Sequence, residues 1–169
     1  MDWSETVVQC LKGNNIKVVP YVPDAITWRV LEKLEKDPFF HTVPCTREDE
    51  AMGVACGAYL GKQRAAVFMQ SSGLGNCINA LGSLSVPCRI PFPLFVSMRG
   101  DLWEFNIVQV PVGRAVRPIL ESLGMQHVTL TRADEVEGMV NGAIKLCYAS
   151  RVPVGILFST LLTGGKRVD

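Results

Sequence analysis

The sequence predicts an α/β fold in three layers: a mostly parallel, six-stranded sheet with helices on both faces. Two observations carry this prediction. Apolar, β-branched runs alternate along the chain with helical patterns, and this alternating order is typical of a parallel sheet with crossover helices. Several of the runs are apolar throughout rather than at every second position, as expected for strands that are covered on both faces.

Six strands and six helices account for most of the chain. The predicted strands are 16–22, 41–44, 65–70, 92–98, 127–130 and 153–159. The predicted helices are 4–12, 25–36, 48–60, 76–84, 113–123 and 133–150. Gly13 and Gly124 are placed as helix stops. Because no repeat or linker interrupts the pattern, we expect residues 1–169 to form a single domain.

Composition excludes several classes of partner. The 169 residues carry 17 basic and 16 acidic side chains, which gives no electrostatic case for nucleic acid or an anionic membrane. The N-terminus lacks the regions of a signal peptide, and the longest apolar runs are too short to span a bilayer. None of the six cysteines forms a C-x-x-C pair, so no zinc or redox motif is indicated. We expect a cytoplasmic protein with reduced thiols.

Four polar or glycine-containing segments directly follow predicted strands. They are 22–27, 44–50, 70–76 and 97–104. Parallel sheets bind their ligands at the carboxyl ends of the strands, so these segments are the candidate site.

The segment 70–76, with sequence QSSGLGN, joins a strand to a helix through two glycines. A dinucleotide-binding motif requires a third glycine where Ile78 stands, and a P-loop requires a Gly-Lys-Ser/Thr sequence that is absent. A turn that binds a ligand and a plain tight turn both remain open interpretations.

Three consecutive acids, Glu48 to Glu50, begin the third predicted helix. Thr46 and Asp49 fit a capping box, which alone explains acids at this position. The small residues that follow, including Gly53 and Gly57, predict a buried helix that another backbone or a ligand approaches closely, for example at a subunit contact. Cys45 precedes the acids, but no histidine lies nearby in the sequence to activate it as a nucleophile.

Two motifs carry a resemblance that extends over nearly the whole chain. The first is T-R-E-x-E-A-x-G-V-x-x-G-A-Y-L, beginning at Thr46, and the second is Q-x-S-G-L-G-N-x-I-N-A-L-x-S-L, beginning at Gln70. Together with Val-Pro-Asp at 22–24 and Arg-Gly-Asp at 99–101, they resemble the sulfopyruvate and phosphonopyruvate decarboxylase family of thiamine-diphosphate enzymes. The resemblance implies the thiamine-diphosphate-binding fold, specifically its pyrimidine-binding domain.

The resemblance also implies which of the three consecutive acids contacts the cofactor. In that family, a glutamate from the pyrimidine-binding domain hydrogen-bonds the cofactor, and the spacing to Ala51, Ala55 and Gly57 matches this role to Glu48. The diphosphate and Mg²⁺ are held by Gly-Asp-Gly with a later asparagine. Here Leu102 follows Gly100-Asp101, so the motif is missing and we expect no metal ligands in this chain. A separate beta subunit would carry that motif, in a higher hetero-oligomer.

The remaining site residues follow from the same resemblance. Asp24 matches a proton-relaying acid of related enzymes, although a plain turn or helix cap explains it equally well. Arg99 and Arg114 are candidates for the substrate's second anion, with an ion pair as the alternative for each. The predicted cofactor contacts are Glu48, Gln70, Gly73, Leu74, Gly75 and Asn76, and Asn79 is a third candidate for the substrate.

The implied activity is that of a carboxy-lyase, a 2-oxo acid decarboxylase that is active only with its partner subunit. Sulfopyruvate is the favoured substrate, which would give sulfoacetaldehyde in coenzyme M biosynthesis. Phosphonopyruvate is the alternative. A non-catalytic pyrimidine-domain module is a hypothesis of another class, which Glu48 disfavours, and a carboligating enzyme is disfavoured by the short chain.

Overall fold

The computed structural model describes residues 2–165 of the chain. Within that range, seven strands and seven α-helices alternate. The strands are β1 (Ile16–Tyr21), β2 (His41–Pro44), β3 (Arg64–Ala65), β4 (Val67–Gln70), β5 (Pro93–Ser97), β6 (His127–Leu130) and β7 (Val154–Phe158). The helices are α1 (Trp3–Gly13), α2 (Trp28–Glu35), α3 (Glu48–Leu60), α4 (Leu74–Ala80), α5 (Val110–Ser122), α6 (Val136–Ser150) and α7 (Thr160–Thr163).

The sheet has the order β2-β1-β4-β5-β7-β6, and every pair of neighbouring strands is parallel. The predicted fold class is therefore confirmed. The predicted strand 65–70 is divided, because β3 and β4 both pair with β1 and the register shifts between Ile16 and Val18. At the break, the Ala66 N–H still donates to the carbonyl of Val18 at 3.0 Å, so the two pieces act as one interrupted strand.

Helices cover both faces of the sheet and form two hydrophobic clusters, as three layers require. On one face, side chains of α1, α2 and α6 pack on the sheet with a row of stacked rings, Phe68, Phe95 and Phe158. On the other face, side chains of α3, α4 and α5 pack on the residues of the same strands that point the opposite way, such as Val67, Met69 and Leu94. The central strands β4, β5 and β7 are consequently buried almost throughout, which explains their continuously apolar sequences.

The capping box predicted for α3 is wrong by one residue. The helix begins at Glu48 with Arg47 as its N-cap and no side-chain cap bond. Glu50, at the third helical position, accepts from the Thr46 N–H at 2.8 Å, while Asp49 pairs with Arg47 at 3.0 Å. The acid of a capping box has to reach back from the third position, and that position belongs to Glu50 rather than Asp49. Glu50 is exposed and has a structural role at the start of this helix.

The expectation that α3 is buried holds for one face only. Ala51, Met52, Ala55 and Cys56 lie in the core, whereas Gly53 and Gly57 are exposed. A Cβ placed on either of these glycines would meet nothing within 4 Å. Any close approach to this glycine face therefore comes from outside the part of the chain that the structure describes.

Other element boundaries shift by a few residues. Helix α2 begins at Trp28 rather than at residue 25, because the Asp24 carboxylate accepts from the N–H groups of Ile26 and Thr27 and forms a turn there. Helix α4 passes into a π-turn at Leu81–Ser85, and the short helix α7 was not predicted. Among the helices of residues 2–165, none combines the length and apolar character needed to cross a bilayer. All six cysteines are free thiols.

Candidate active site

All four candidate segments lie at one edge of the sheet, because the strands that precede them are parallel. The strand order also reverses here. From β1 the chain goes outward to β2 and then returns to place β4 on the other side of β1. In open α/β sheets, the crevice at such a reversal is where ligands bind. The segments after β1, β2 and β4 surround this crevice.

Glu48 lies against the glycine turn that follows β4. Its Oε2 accepts a hydrogen bond from Asn76 Nδ2 at 2.9 Å. A Cβ on Gly73 would lie 2.5 Å from Oε1 of the same carboxylate, so a side chain at position 73 would force Glu48 out of this conformation. The structure thus joins three predicted site residues that belong to two separate motifs of the sequence.

The other residues of the glycine turn differ in what they can offer a ligand. The Leu74 side chain is fully buried in the core, so this residue could contact a cofactor only through its backbone. Gly75 is exposed, and a Cβ there would meet nothing within 4 Å. The backbone is consequently open to an approaching group, and the predicted cofactor contact of Gly75 stays a prediction.

Asp24 forms a second cluster, at the reversal between β1 and β4. Its carboxylate accepts from Ser97 Oγ at 2.7 Å and from Gln70 Nε2 at 3.1 Å, besides the two backbone groups of its turn. Gln70 Oε1 accepts in turn from Ser72 Oγ at 2.8 Å. Both the nitrogen and the oxygen of the Gln70 amide are therefore hydrogen-bonded within this cluster. The predicted contact of Gln70 with the cofactor stays a prediction.

Arg99 is held in a buried ion pair. Its guanidinium donates two hydrogen bonds of 2.7 Å to Glu104, and the exposed fractions of the two side chains are 9% and 4%. These bonds, with further ones from the N–H groups of Gly100 and Asn106, lower the pKa of Glu104 from 4.5 to about 2. The Arg99 N–H also donates to Ser71 Oγ at 3.2 Å, which ties this loop to the glycine turn. The ion pair considered as the alternative for Arg99 is thus present.

The two other substrate candidates lie on helices α4 and α5. Asn79 is one turn along α4 from Asn76, and its Oδ1 accepts from Ser83 Oγ at 3.0 Å. Arg114 is exposed on α5 and lines a cavity between this helix and the loop after β5. The roles of both residues stay predictions.

Sequence reasoning missed three polar residues of this edge, namely Ser71, Ser97 and Glu104. Ser71 and Ser97 are fully buried where β4 and β5 end, and each bonds a predicted site residue or its loop. A serine that closes an otherwise apolar strand is a signal that the sequence did contain. For Cys45, burial and then the charge of Glu50 raise the thiol pKa, which disfavours the thiolate that a nucleophile requires.

The arrangement defines a class of protein: an α/β domain whose strand reversal presents a carboxylate beside an open glycine turn. Asn76 positions the Glu48 carboxylate, and the missing side chain of Gly73 leaves space for it. Such an acid suits a ligand with a nitrogen heterocycle, because a carboxylate can share a proton with a ring nitrogen.

Comparison with known proteins identifies the family. Residues 1–98 match the model described as the thiamine pyrophosphate enzyme, N-terminal TPP binding domain. The chain belongs to this family, and the resemblance inferred from the two motifs is confirmed.

Relatives with known names cover nearly the whole chain. It is 37% identical over 161 residues to sulfopyruvate decarboxylase subunit alpha of Methanococcus maripaludis, covering 95% of this chain and 96% of the relative. It is 36% identical over 164 residues to phosphonopyruvate decarboxylase of Streptomyces viridochromogenes, covering 96% of this chain but 41% of that longer relative. One chain of the first relative therefore corresponds to less than half of the second.

A solved structure shares the fold at much lower sequence identity. The 2-oxoglutarate:ferredoxin oxidoreductase from Magnetococcus marinus, with 2-oxoglutarate, coenzyme A and succinyl-CoA bound, superposes with a TM-score of 0.74. The sequences are 11% identical, and the match covers 96% of this chain and 29% of that one. This likeness concerns the fold alone.

Proposed function

We propose that this chain is the alpha subunit of a thiamine-diphosphate-dependent sulfopyruvate decarboxylase. It would release carbon dioxide from sulfopyruvate and form sulfoacetaldehyde. The similarity to a named alpha subunit over almost all of both chains supports the activity. The contact of Glu48 with Asn76 and Gly73 at the strand reversal is the observation of this structure that carries the proposal.

The residues present fit the pyrimidine end of thiamine diphosphate. Glu48 would share a proton with a ring nitrogen through its carboxylate, in the direction that Asn76 and Gly73 set for it. The exposed backbone at Gly75 would be free to contact the heterocycle. When bound, the cofactor supplies the nucleophilic carbon and holds the electrons left by carbon dioxide. This chain orients the ring and holds the proton.

We propose further that a beta subunit holds the diphosphate and Mg²⁺. Among residues 2–165, no group of three or more histidine, cysteine or acidic side chains could hold a metal ion. A phosphonopyruvate decarboxylase with more than twice the matched length has room for both parts of such a site. The single-domain organisation of residues 1–169 and a hetero-oligomer belong to the same proposal, as does a cytoplasmic location, which the free cysteines favour.

A phosphonopyruvate decarboxylase subunit is the second candidate. The 36% identity to the Streptomyces viridochromogenes enzyme supports it, although that relative carries both parts in one chain. Measuring kcat/KM of the assembled enzyme for sulfopyruvate and phosphonopyruvate separates the two. The substrate with the higher value is the one that the enzyme has been selected to use.

The first prediction concerns Glu48. In the complex of this chain with its beta subunit, Glu48→Gln should lower kcat by at least 100-fold, because an amide cannot share the proton. Steady-state decarboxylation of sulfopyruvate, with saturating thiamine diphosphate and Mg²⁺, measures the effect.

Asp49→Asn is the matched control, since it changes the neighbouring acid in the same helical turn. It should leave kcat within about twofold, because Asp49 pairs with Arg47 at the surface, where such pairs contribute little. Equal losses in the two variants would show that Glu48 has no special role.

A further inference from the structure

A second cavity, lined by charged side chains, lies beside Arg99, and neither Glu48 nor Asp24 lines it. It lies between α5 and the loop after β5, with a volume of about 350 Å³, within the range of small-molecule sites. Its charged lining residues are Arg99, Asp101, Arg114 and Arg117.

The charges around this cavity do not balance. The pairing with Glu104 compensates the charge of Arg99. Within residues 2–165, neither Arg114 nor Arg117 has a carboxylate within 4.0 Å, and Arg117 makes one bond of 3.3 Å to Thr129 Oγ1. The two arginines are three positions apart, so they lie on the same face of α5. Two cations facing one cavity repel each other unless an anion lies between them.

We propose that this cavity binds a small oxyanion, a sulfonate or an inorganic anion of the same shape, between Arg114 and Arg117. Each guanidinium presents a planar fork of donors that matches oxyanions. Arg99 serves as a wall of the cavity rather than as a ligand, because its charge is already paired with Glu104 through Nε and Nη2. Asp101 opposes the anion and so limits its affinity.

The cavity adjoins the candidate active site through shared residues. Arg99 lines the cavity with its side chain, and its backbone N–H reaches Ser71 in the glycine turn. A sulfonate held here could therefore belong to a substrate whose other end lies at the turn. A free inorganic anion is the second source of the same chemistry. Only the choice between these sources rests on the proposed decarboxylase function.

Binding is tested first on the full chain alone, by titrating sulfate and methanesulfonate and following arginine Nε–H resonances. In the wild-type protein, the resonances of Arg114 and Arg117 should shift with saturation. Arg114→Gln and Arg117→Gln should each weaken binding about tenfold or more, as expected for loss of a charged hydrogen-bonding partner. Asp101→Asn should strengthen it several-fold, because a like charge is removed.

Two controls separate charge from structure. Thr129→Val removes the bond to Arg117 but keeps the cation, so binding should be retained. Arg132→Gln removes a surface cation that pairs with Asp134, away from the cavity, and should leave binding unchanged. Absence of saturable shifts, or equal losses in the Arg132 and Arg114 variants, would overturn the proposal.

The source of the oxyanion is decided in the assembled enzyme. If the substrate supplies it, sulfate should raise the KM for sulfopyruvate competitively, and Arg114→Gln should raise that KM about tenfold, whereas Arg132→Gln should leave it unchanged. If the anion is separate, sulfate should act without competing. Saturable sulfate binding by the wild-type chain, together with an assembled wild-type enzyme that does not decarboxylate sulfopyruvate, would leave this cavity established while the proposed function failed.

Discussion

The three consecutive acids at the start of α3 have three different surroundings. Glu48 faces the glycine turn, Asp49 pairs with Arg47 at the surface, and Glu50 bonds the backbone of Thr46. Successive helical residues point about 100° apart, so neighbours in sequence reach different partners. The family motif identified Glu48 in the sequence. The hydrogen bond of Glu50 to the Thr46 backbone was not predicted, because it depends on which residue is the N-cap of the helix.

Glu104 provides a prediction about acid stability. Its hydrogen bonds with Arg99 hold its folded pKa near 2, below the ordinary value of 4.5. The ionised pair therefore stabilises the fold fully above about pH 4.5, and this contribution is lost as the pH falls towards 2. The shift corresponds to about 3 kcal/mol of unfolding free energy. Urea unfolding at a series of pH values from 7 to 2.5 measures it.

Glu104→Gln should remove this part of the pH dependence and lower stability at pH 7, because Arg99 is left buried without its counter-charge. Glu137→Gln changes an exposed acid of α6 and should preserve the wild-type profile. Parallel profiles for wild-type protein and the Glu104 variant would contradict the assignment.

Helices and strands were predictable to different degrees. The bounds of α3, β2 and β6 match the predicted ranges 48–60, 41–44 and 127–130, because changes of hydrophobic pattern and short polar connections mark their ends. The beginning of α2 does not, since it depends on which donors the Asp24 carboxylate reaches in three dimensions. The break between β3 and β4 depends on register with β1, which only the paired strands determine.

The exposed glycine face of α3 leads to a prediction about assembly. Gly53→Ala and Gly57→Ala should each stabilise the isolated chain by about 0.5–1 kcal/mol, because glycine is unfavourable inside a helix and the new methyl group meets no atom. If the beta subunit covers this face, the same changes should weaken assembly. Thermal unfolding and analytical ultracentrifugation measure the two effects.

Gly142→Ala in α6 is the matched control, because that glycine is also exposed, helical and free of neighbours within 4 Å. It should stabilise the chain by a similar amount and leave assembly unchanged. Assembly that tolerates all three changes equally would exclude α3 as the contact.

For the molecule as a whole, the sequence predicted the parallel sheet and the edge at which the candidate residues meet. Parallel strands bring the ends of distant segments together, so Glu48 and Asn76 could be expected near one another. The pairing of Arg99 with Glu104 could not, because it depends on the course of a loop. The hydrogen bond between Ser97 and Asp24 could not be predicted either, because these residues belong to the ends of strands that β4 separates in the sheet.

The proposed division of the site between subunits gives a prediction for the whole molecule. The purified 169-residue chain, supplied with thiamine diphosphate and Mg²⁺, should not decarboxylate sulfopyruvate, because Leu102 follows Gly100-Asp101 where the diphosphate and Mg²⁺ motif requires glycine. Addition of the beta subunit should restore turnover. A coupled assay for sulfoacetaldehyde measures both, and turnover by the chain alone would refute the division.

The contact between Gly73 and Glu48 also bears on how such chains diverge. A side chain at position 73 would overlap the carboxylate in its present conformation, so the two positions are coupled although 24 residues separate them in the sequence. A descendant that lost the acid would be released from this constraint and could accept alanine or serine at 73. A glycine retained opposite a glutamate is thus a mark by which working copies can be told from decayed ones in genomes.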